Sequence, residues 1–157
     1  MTNLSTPKQL KKTFEELATK HKFLQGNCHW GDANKIGDGQ KADYPLLNVH
    51  LTNAIMVQSE TDSTFKMMEY TFNIKCLDLV EKDEINHPDV ESDTLQILTE
   101  IVNKLTYAYN GSKIKIQGDI RFDEEVEIND DQASGWGGEL IVRSPINNAN
   151  CFLPFEE

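Results

Sequence analysis

The sequence contains few of the residues on which disulfide-rich and zinc-binding proteins depend. It has three cysteines, Cys28, Cys76 and Cys151, and they lie far apart along the chain. Since no C-x-x-C pair occurs, neither a disulfide framework nor a zinc site is favoured. We interpret the cysteines as free thiols that are mostly buried.

Arginine is equally scarce, because only Arg121 and Arg143 occur. The formal net charge is −11, and it is unevenly spread: residues 1–41 carry about +3 and the remainder −14. Phosphate recognition uses clustered arginine and lysine side chains, so this composition argues against specific nucleic-acid binding.

Long hydrophobic runs are absent, and no stretch approaches the roughly 20 apolar residues of a membrane helix. The first residues, MTNLSTPKQLKK, lack the apolar core of a secretory signal. We therefore expect a protein made in the cytoplasm and no membrane partner. The length of 157 residues suits a single domain, with a helix and loop in 1–43 and a sheet and second helix in 44–157.

Hydrophobic periodicity predicts two helices and several strands. Thr6 and Pro7 are typical of a helix start, and apolar residues recur at helical spacing after them. Leu47, Val49 and Leu51 alternate with polar residues, as in a half-buried strand. The predicted elements are helices over 7–23 and 94–109, an irregular loop over 25–43, a long hairpin of strands 46–57 and 65–80, a charged connector over 81–91, and strand candidates at 113–122, 125–128 and 138–143.

These elements favour an α+β fold in the order α-β-β-α-β-β. Hairpin-length connections dominate, so the sheet is expected to be mainly antiparallel, with helices packed on one face.

Catalytic and metal-binding patterns are weak. The four histidines form no H-E-x-x-H motif, and no G-x-S-x-G or phosphate-binding glycine loop occurs. Cys28 and His29 are adjacent in sequence, but adjacent side chains rarely face each other. The loop from Asp32 to Asp43 imitates a calcium loop only in part, since Ile36 and Asp43 stand where an EF-hand has an oxygen ligand and a bidentate Glu. We expect no enzyme, no cofactor and no metal site.

The segment Gly135-Trp136-Gly137-Gly138 precedes the last predicted strand. A tryptophan between glycines can anchor the core beneath a sharp turn, or it can anchor an interface, where tryptophan is enriched. The sequence leaves both roles open.

The last third of the chain contains an acidic D-x-x-x-G-W segment before an amphipathic strand and an N-x-C-x-x-P-like end. In these features it resembles small tail-completion proteins of tailed bacteriophages. Further similar segments are YPLL (44–47), CLDL (76–79) and SDTLQIL (92–98), so the resemblance spans about residues 44–155. The matching C-terminal positions are Asp131, Gly135, Trp136, Leu140, Asn150, Cys151 and Pro154.

The resemblance implies a tail-terminator-like fold and a structural role in the virion. Such proteins, including those of phages of gut Bacteroidetes, form rings at the head–tail junction or on the tail tube. The expected partners are copies of this chain, in a six-fold or twelve-fold ring, and neighbouring neck or tail proteins. DNA would pass through the ring without specific binding, and an acidic wall facing the channel would repel its phosphates.

Three elements are predicted to form the ring contacts: the 25–43 loop, the outward face of the hairpin near 52–68, and a turn at 129–138. Their representative residues are Trp30, Asp32, Met56, Asp131, Gly135 and Trp136. An adaptor or immunity-like binding module is the alternative, and it predicts a small complex without a closed ring. An enzyme would need a pocket that joins His29 or His50 to Cys28 or to acids.

Overall fold

A computed structural model describes residues 6–37, 42–81, 85–128 and 132–146. The fold is α+β, with two helices and a six-stranded, mostly antiparallel sheet, which confirms the predicted class. The elements in chain order are α1 (Pro7–Lys20), β1 (Cys28–Trp30), a 3-10 turn (Ala33–Lys35), β2 (Leu46–Gln58), β3 (Phe65–Leu79), α2 (His87–Tyr109), β4 (Lys115–Gln117), β5 (Phe122–Ile128) and β6 (Ala133–Pro145).

The order α-β-β-α-β-β is therefore wrong in detail, because β1 and one further strand after α2 were not counted. The strand β1 is only three residues long and lies in the segment that was predicted to be irregular. It forms the only parallel pair among the described strands, beside the start of β2.

Helix α1 begins as the sequence predicts and ends earlier. The Thr6 hydroxyl accepts a hydrogen bond from the Gln9 amide at 3.3 Å, and the Gln9 side chain accepts one from the Thr6 amide at 2.8 Å. This reciprocal capping box satisfies two backbone donors at the helix start. The helix ends at Lys20, and Gly26 then turns the chain with a positive φ of 92°.

Helix α2 begins seven residues before the predicted start at residue 94, with Asn86 as its N-cap. Pro88 was interpreted as part of a connector, but proline is tolerated in the first helical turn, where its missing N–H has no partner to lose. Val90 is buried and extends the apolar stripe of the helix. Burial of Val90 explains why the helix includes 87–93.

The sheet is built around two long antiparallel pairings. The hairpin of β2 and β3 pairs Leu46 with Leu77 at its base and Gln58 with Phe65 at its tip. Strand β6 follows the other edge of β3 over its whole length. Strands β5 and β4 both pair with the outer edge of β6. They follow one another along that edge, β5 beside residues 133–138 and β4 beside residues 141–143.

Both helices cover one face of the sheet, as predicted. Alternate residues of β3 and their partners point into a single core, which contains Leu10, Phe14, Leu47, Val49, Tyr70, Phe72, Ile74, Cys76, Leu98, Ile101, Leu105, Leu140 and Val142. The 3-10 turn covers the opposite face at one end. There Ala33 and Ile36 pack against Leu46, Leu77 and Ala133.

The glycine-rich segment around Trp136 is not a turn before a strand, because residues 133–138 are already part of β6. A Cβ at Gly135 would lie 1.9 Å from the Cys76 carbonyl oxygen, and one at Gly138 would lie 2.5 Å from the Arg121 carbonyl oxygen. These glycines let β6 approach its neighbours closely, which is a common reason for glycine within a strand. Within the described part of the chain, neither helix is both long enough and apolar enough to cross a membrane.

Candidate assembly surface

The outer half of the β2–β3 hairpin carries exposed apolar side chains beside a free sheet edge. Ile55 is 46% exposed, Met56 is 51% exposed and Phe65 is 44% exposed. Met56 pairs with Met68, on the face of the sheet that the helices cover elsewhere, whereas Ile55 pairs with Glu69 on the other face. Both faces of the hairpin therefore present apolar surface.

The outer edge of β2 is open over most of its length. β1 pairs only with Leu47, Asn48 and Val49, and the Gly31 amide adds one hydrogen bond to the Val49 carbonyl at 2.9 Å. From residue 50 to 58 no described strand covers this edge. The stretch reads HLTNAIMVQ and contains neither proline nor a charged side chain other than a titratable histidine.

The opposite edge of the sheet carries charge of both signs. Strand β5 presents a run of acids, including Asp123, Glu124 and Glu125. Farther along the same edge, basic side chains line an open groove of about 670 Å³ together with Met67 and Pro145. These basic residues are Lys66, Lys113, Lys115 and Arg143.

Most of these charges already have partners within the subunit. The Arg143 guanidinium donates to a Glu69 carboxylate oxygen at 2.8 Å. Lys75 and Glu125 form an ion pair at 3.1 Å, and a Cβ at Gly137 would lie 2.9 Å from the Lys75 side chain. Gly137 therefore leaves room for an ion pair that crosses β6 from β3 to β5.

The residues predicted from the 25–43 loop serve the subunit's own fold. Trp30 packs edge-on against Phe72, with ring centroids 5.8 Å apart. Asp32 caps the 3-10 turn, since its carboxylate accepts a hydrogen bond from the Asn34 amide at 2.9 Å. Asn48 donates to His29 Nδ1 at 2.8 Å and to the Gly31 carbonyl at 2.9 Å, which ties the loop to β2.

The predicted residues at the end of the chain are also mostly internal. Gly135 is buried between β3 and β5, and Asp131 lies outside the described residues. Trp136 is partly buried against the core, and its indole N–H donates to the Glu91 carbonyl at 2.9 Å. Of the five predicted interface residues that the structure describes, Met56 is the one on an open, exposed surface.

Among the described residues, His29 lies close enough to Asp32 and His50 for their charges to act on its pKa, whereas the thiols of Cys28 and Cys76 are shielded from solvent. Burial raises the pKa of the Cys28 thiol to about 11, and it also raises the pKa of Cys76. Burial lowers the pKa of His29, whose Nδ1 accepts the hydrogen bond from Asn48. A thiol with a raised pKa is a poor nucleophile, because the thiolate is the reactive form.

One group of side chains was not predicted from the sequence. His87 and Glu91 lie one helical turn apart at the start of α2, and Glu124 approaches them from β5. The spacing of His87 and Glu91 is typical of side chains that share one helix face, but 81–91 was interpreted as a connector. Hydrogen bonding to Glu91 is the main cause that raises the pKa of Glu124.

No protein-family model and no curated protein sequence matches this chain.

Proposed function

We propose that this chain is a structural subunit of a tailed-bacteriophage virion, made in the host cytoplasm, that assembles side by side with copies of itself into a ring at the head–tail junction or tail end. The observation that carries the proposal is the uncharged open edge of β2, with exposed Ile55 and Met56 beside it. The resemblance of residues 44–155 to tail-completion proteins supplies the biological setting.

Proteins usually protect a free strand edge with charges, proline or bulges, since unpaired backbone groups recruit other strands. Register shifts do interrupt β2 near Leu51 and again near Gln58. Between them, residues 53–57 form a regular stretch, NAIMV, without any charge. An edge of this kind is suited to pairing with another chain.

The second edge of the sheet favours a head-to-tail contact over a symmetric one. Two β5 edges would be a poor match, because each presents the same row of acids, Asp123, Glu124 and Glu125, whose ion-pair partners lie within their own subunit. Pairing the β2 edge of one copy with the β4–β5 edge of the next avoids this mismatch. Such heterologous contacts generate a ring whenever the rotation between copies closes.

The acidic balance supports a channel that DNA crosses without being held. The net charge of −14 after residue 41 disfavours binding to phosphates. We expect duplex DNA to show no measurable association with the assembled protein at low salt. Salt-sensitive binding that Lys113→Glu and Lys115→Glu abolish would instead assign the basic groove to the channel.

Light scattering across a concentration series, followed by imaging, tests the ring. We expect a closed oligomer that grows in population with concentration, and we expect Met56→Lys to shift the protein to monomers. Tyr107→Lys is the matched control, because Tyr107 is 76% exposed and lies on helix α2, outside the sheet. Equal assembly of wild type and Met56→Lys would exclude the β2 edge as the contact.

A symmetric β2–β2 pairing would give a dimer instead of a ring. The same uncharged edge allows it, and a dimer that Met56→Lys dissociates would favour the adaptor-like binding module. A monomer at every concentration that also fails to assemble with other neck or tail proteins would contradict the ring proposal.

A further inference from the structure

The side chains of His87, Glu91 and Glu124 converge where the start of α2 meets β5. His87 Nε2 lies 3.5 Å from a Glu91 carboxylate oxygen and 3.4 Å from a Glu124 carboxylate oxygen. One ligand atom from each residue lies within 4.8 Å of the others. His87 and Glu91 belong to α2, and Glu124 belongs to β5. Strand β6 connects these two elements, because it pairs with β5 and its Trp136 donates a hydrogen bond to the Glu91 carbonyl.

These separations match those of a tetrahedral metal centre. Donor atoms about 2.0–2.2 Å from a zinc ion lie about 3.3–3.6 Å from one another in a tetrahedron. The two measured nitrogen–oxygen separations fall within that interval. They are long for hydrogen bonds, whose usual range ends near 3.2 Å.

The imidazole nitrogen itself is shielded from solvent, although the His87 side chain as a whole is 25% exposed. His87 Nε2 is buried from solvent, yet it forms no hydrogen bond with any described residue. Buried polar atoms normally have a partner, and an unsatisfied one needs an explanation such as an ion. The nitrogen faces a carboxylate oxygen from each of two glutamates, so all three donor atoms point toward one small space.

We propose that His87, Glu91 and Glu124 bind one divalent transition-metal ion of the zinc class, with a fourth position left for water. One imidazole and two carboxylates are a donor set that suits zinc. The ion fastens the first turn of α2 to the edge strand β5. This inference is independent of the ring, since all three ligands lie in one subunit.

Titration of the metal-stripped wild-type protein with Zn²⁺ by calorimetry tests the proposal. We expect binding of one ion per chain and a rise in Tm with saturating zinc. Co²⁺ is the spectroscopic probe, because a tetrahedral cobalt centre absorbs visible light. Cobalt is also expected to quench the fluorescence of Trp136, whose indole N–H donates a hydrogen bond to the Glu91 carbonyl.

Two variants locate the ion, and a third serves as control. His87→Gln and Glu124→Gln should each weaken zinc binding at least tenfold, since loss of even an outer-shell partner weakens a metal site by about 10–100-fold. His21→Gln should leave it unchanged, although His21 Nε2 also meets a carboxylate oxygen, that of Glu100, at 2.8 Å. Far-UV circular dichroism confirms that each variant is folded.

Three outcomes would overturn the proposal. Absence of zinc binding by the wild type would show that the three side chains do not form a metal site. Zinc binding of equal strength in the wild type and in Glu124→Gln would place the ion elsewhere. A rise in Tm with zinc that persists in His87→Gln would likewise place the ion at other ligands.

Discussion

Replacing Trp136 by alanine separates the two roles that the sequence leaves open for this side chain. The indole packs against the core from β6, and its N–H donates to the Glu91 carbonyl at 2.9 Å. Truncating a fully buried tryptophan typically lowers the free energy of unfolding by about 3–5 kcal/mol. Since Trp136 is partly buried, we expect Trp136→Ala to lower it by about 2–3 kcal/mol, which corresponds to a Tm about 4–12 °C lower for a domain of this size.

Trp136→Phe isolates the hydrogen bond, because the ring remains and the N–H is removed. We expect this variant to lose about 1 kcal/mol, the net worth of a typical hydrogen bond. Both variants keep Trp30 as a fluorescent probe, so urea unfolding at low protein concentration can be followed in the same way. If Trp136→Ala unfolds at the wild-type urea concentration while assembly is lost, the side chain acts at an interface and the structural account is wrong.

Three further predictions concern the backbone, the thiols and a histidine. Gly135→Ala should lower the free energy of unfolding by about 2–4 kcal/mol, because its Cβ would lie 1.9 Å from the Cys76 carbonyl oxygen. Gly118→Ala is the comparison: it has open space around the new Cβ but a positive φ of 70°, and it should lower the free energy of unfolding by only about 1 kcal/mol. In the Cys151→Ser variant, Cys28 and Cys76 should react slowly with a disulfide reagent at pH 8 and rapidly once urea unfolds the chain. The reason is that burial raises the pKa of both thiols in the native state. A fast reaction of the native protein would contradict their burial. The pKa of His29 is lowered in the folded state, so the unfolded chain binds more protons than the folded chain as the pH falls through the ordinary value of 6.5. The free energy of unfolding should therefore decrease below that pH, and it should decrease less in His29→Gln. An NMR titration midpoint for His29 above 6.5 would refute the assignment.

Hydrophobic periodicity predicted the strands well where buried and exposed residues alternate regularly. The hairpin strands 46–57 and 65–80 differ from β2 and β3 by a single residue each, because Leu47, Val49, Phe72 and Ile74 point to the core in strict alternation. The Thr6 cap was predicted for the same reason, since capping is a local interaction between neighbouring residues. The start of α2 was not found, because Pro88 resembles a helix breaker until tertiary packing buries Val90.

The candidate surfaces depend on contacts between distant segments, which the sequence does not display. Trp30 and Asp32 were predicted to contact other copies. In the structure Trp30 packs against Phe72, and Asp32 caps the 3-10 turn of its own loop. Met56 is exposed on the hairpin, on the face that the helices cover elsewhere, and its place at an interface stays a prediction. The cluster of His87, Glu91 and Glu124 requires the pairing of β5 with β6, and no local pattern predicts which acid of β5 faces α2.

The proposed ion and the proposed ring meet at β5, and their effects can be separated. Glu124 lies on the edge strand that the ring proposal pairs with β2 of the next copy, so an ion held there would fix the position of that edge. Removing the metal should then weaken assembly of the wild type, whereas Glu124→Gln should assemble equally with and without chelator. If chelation lowers the Tm but leaves assembly unchanged, the ion stabilises the subunit alone. In that case the contact between copies depends on the β2 edge and on some surface other than β5.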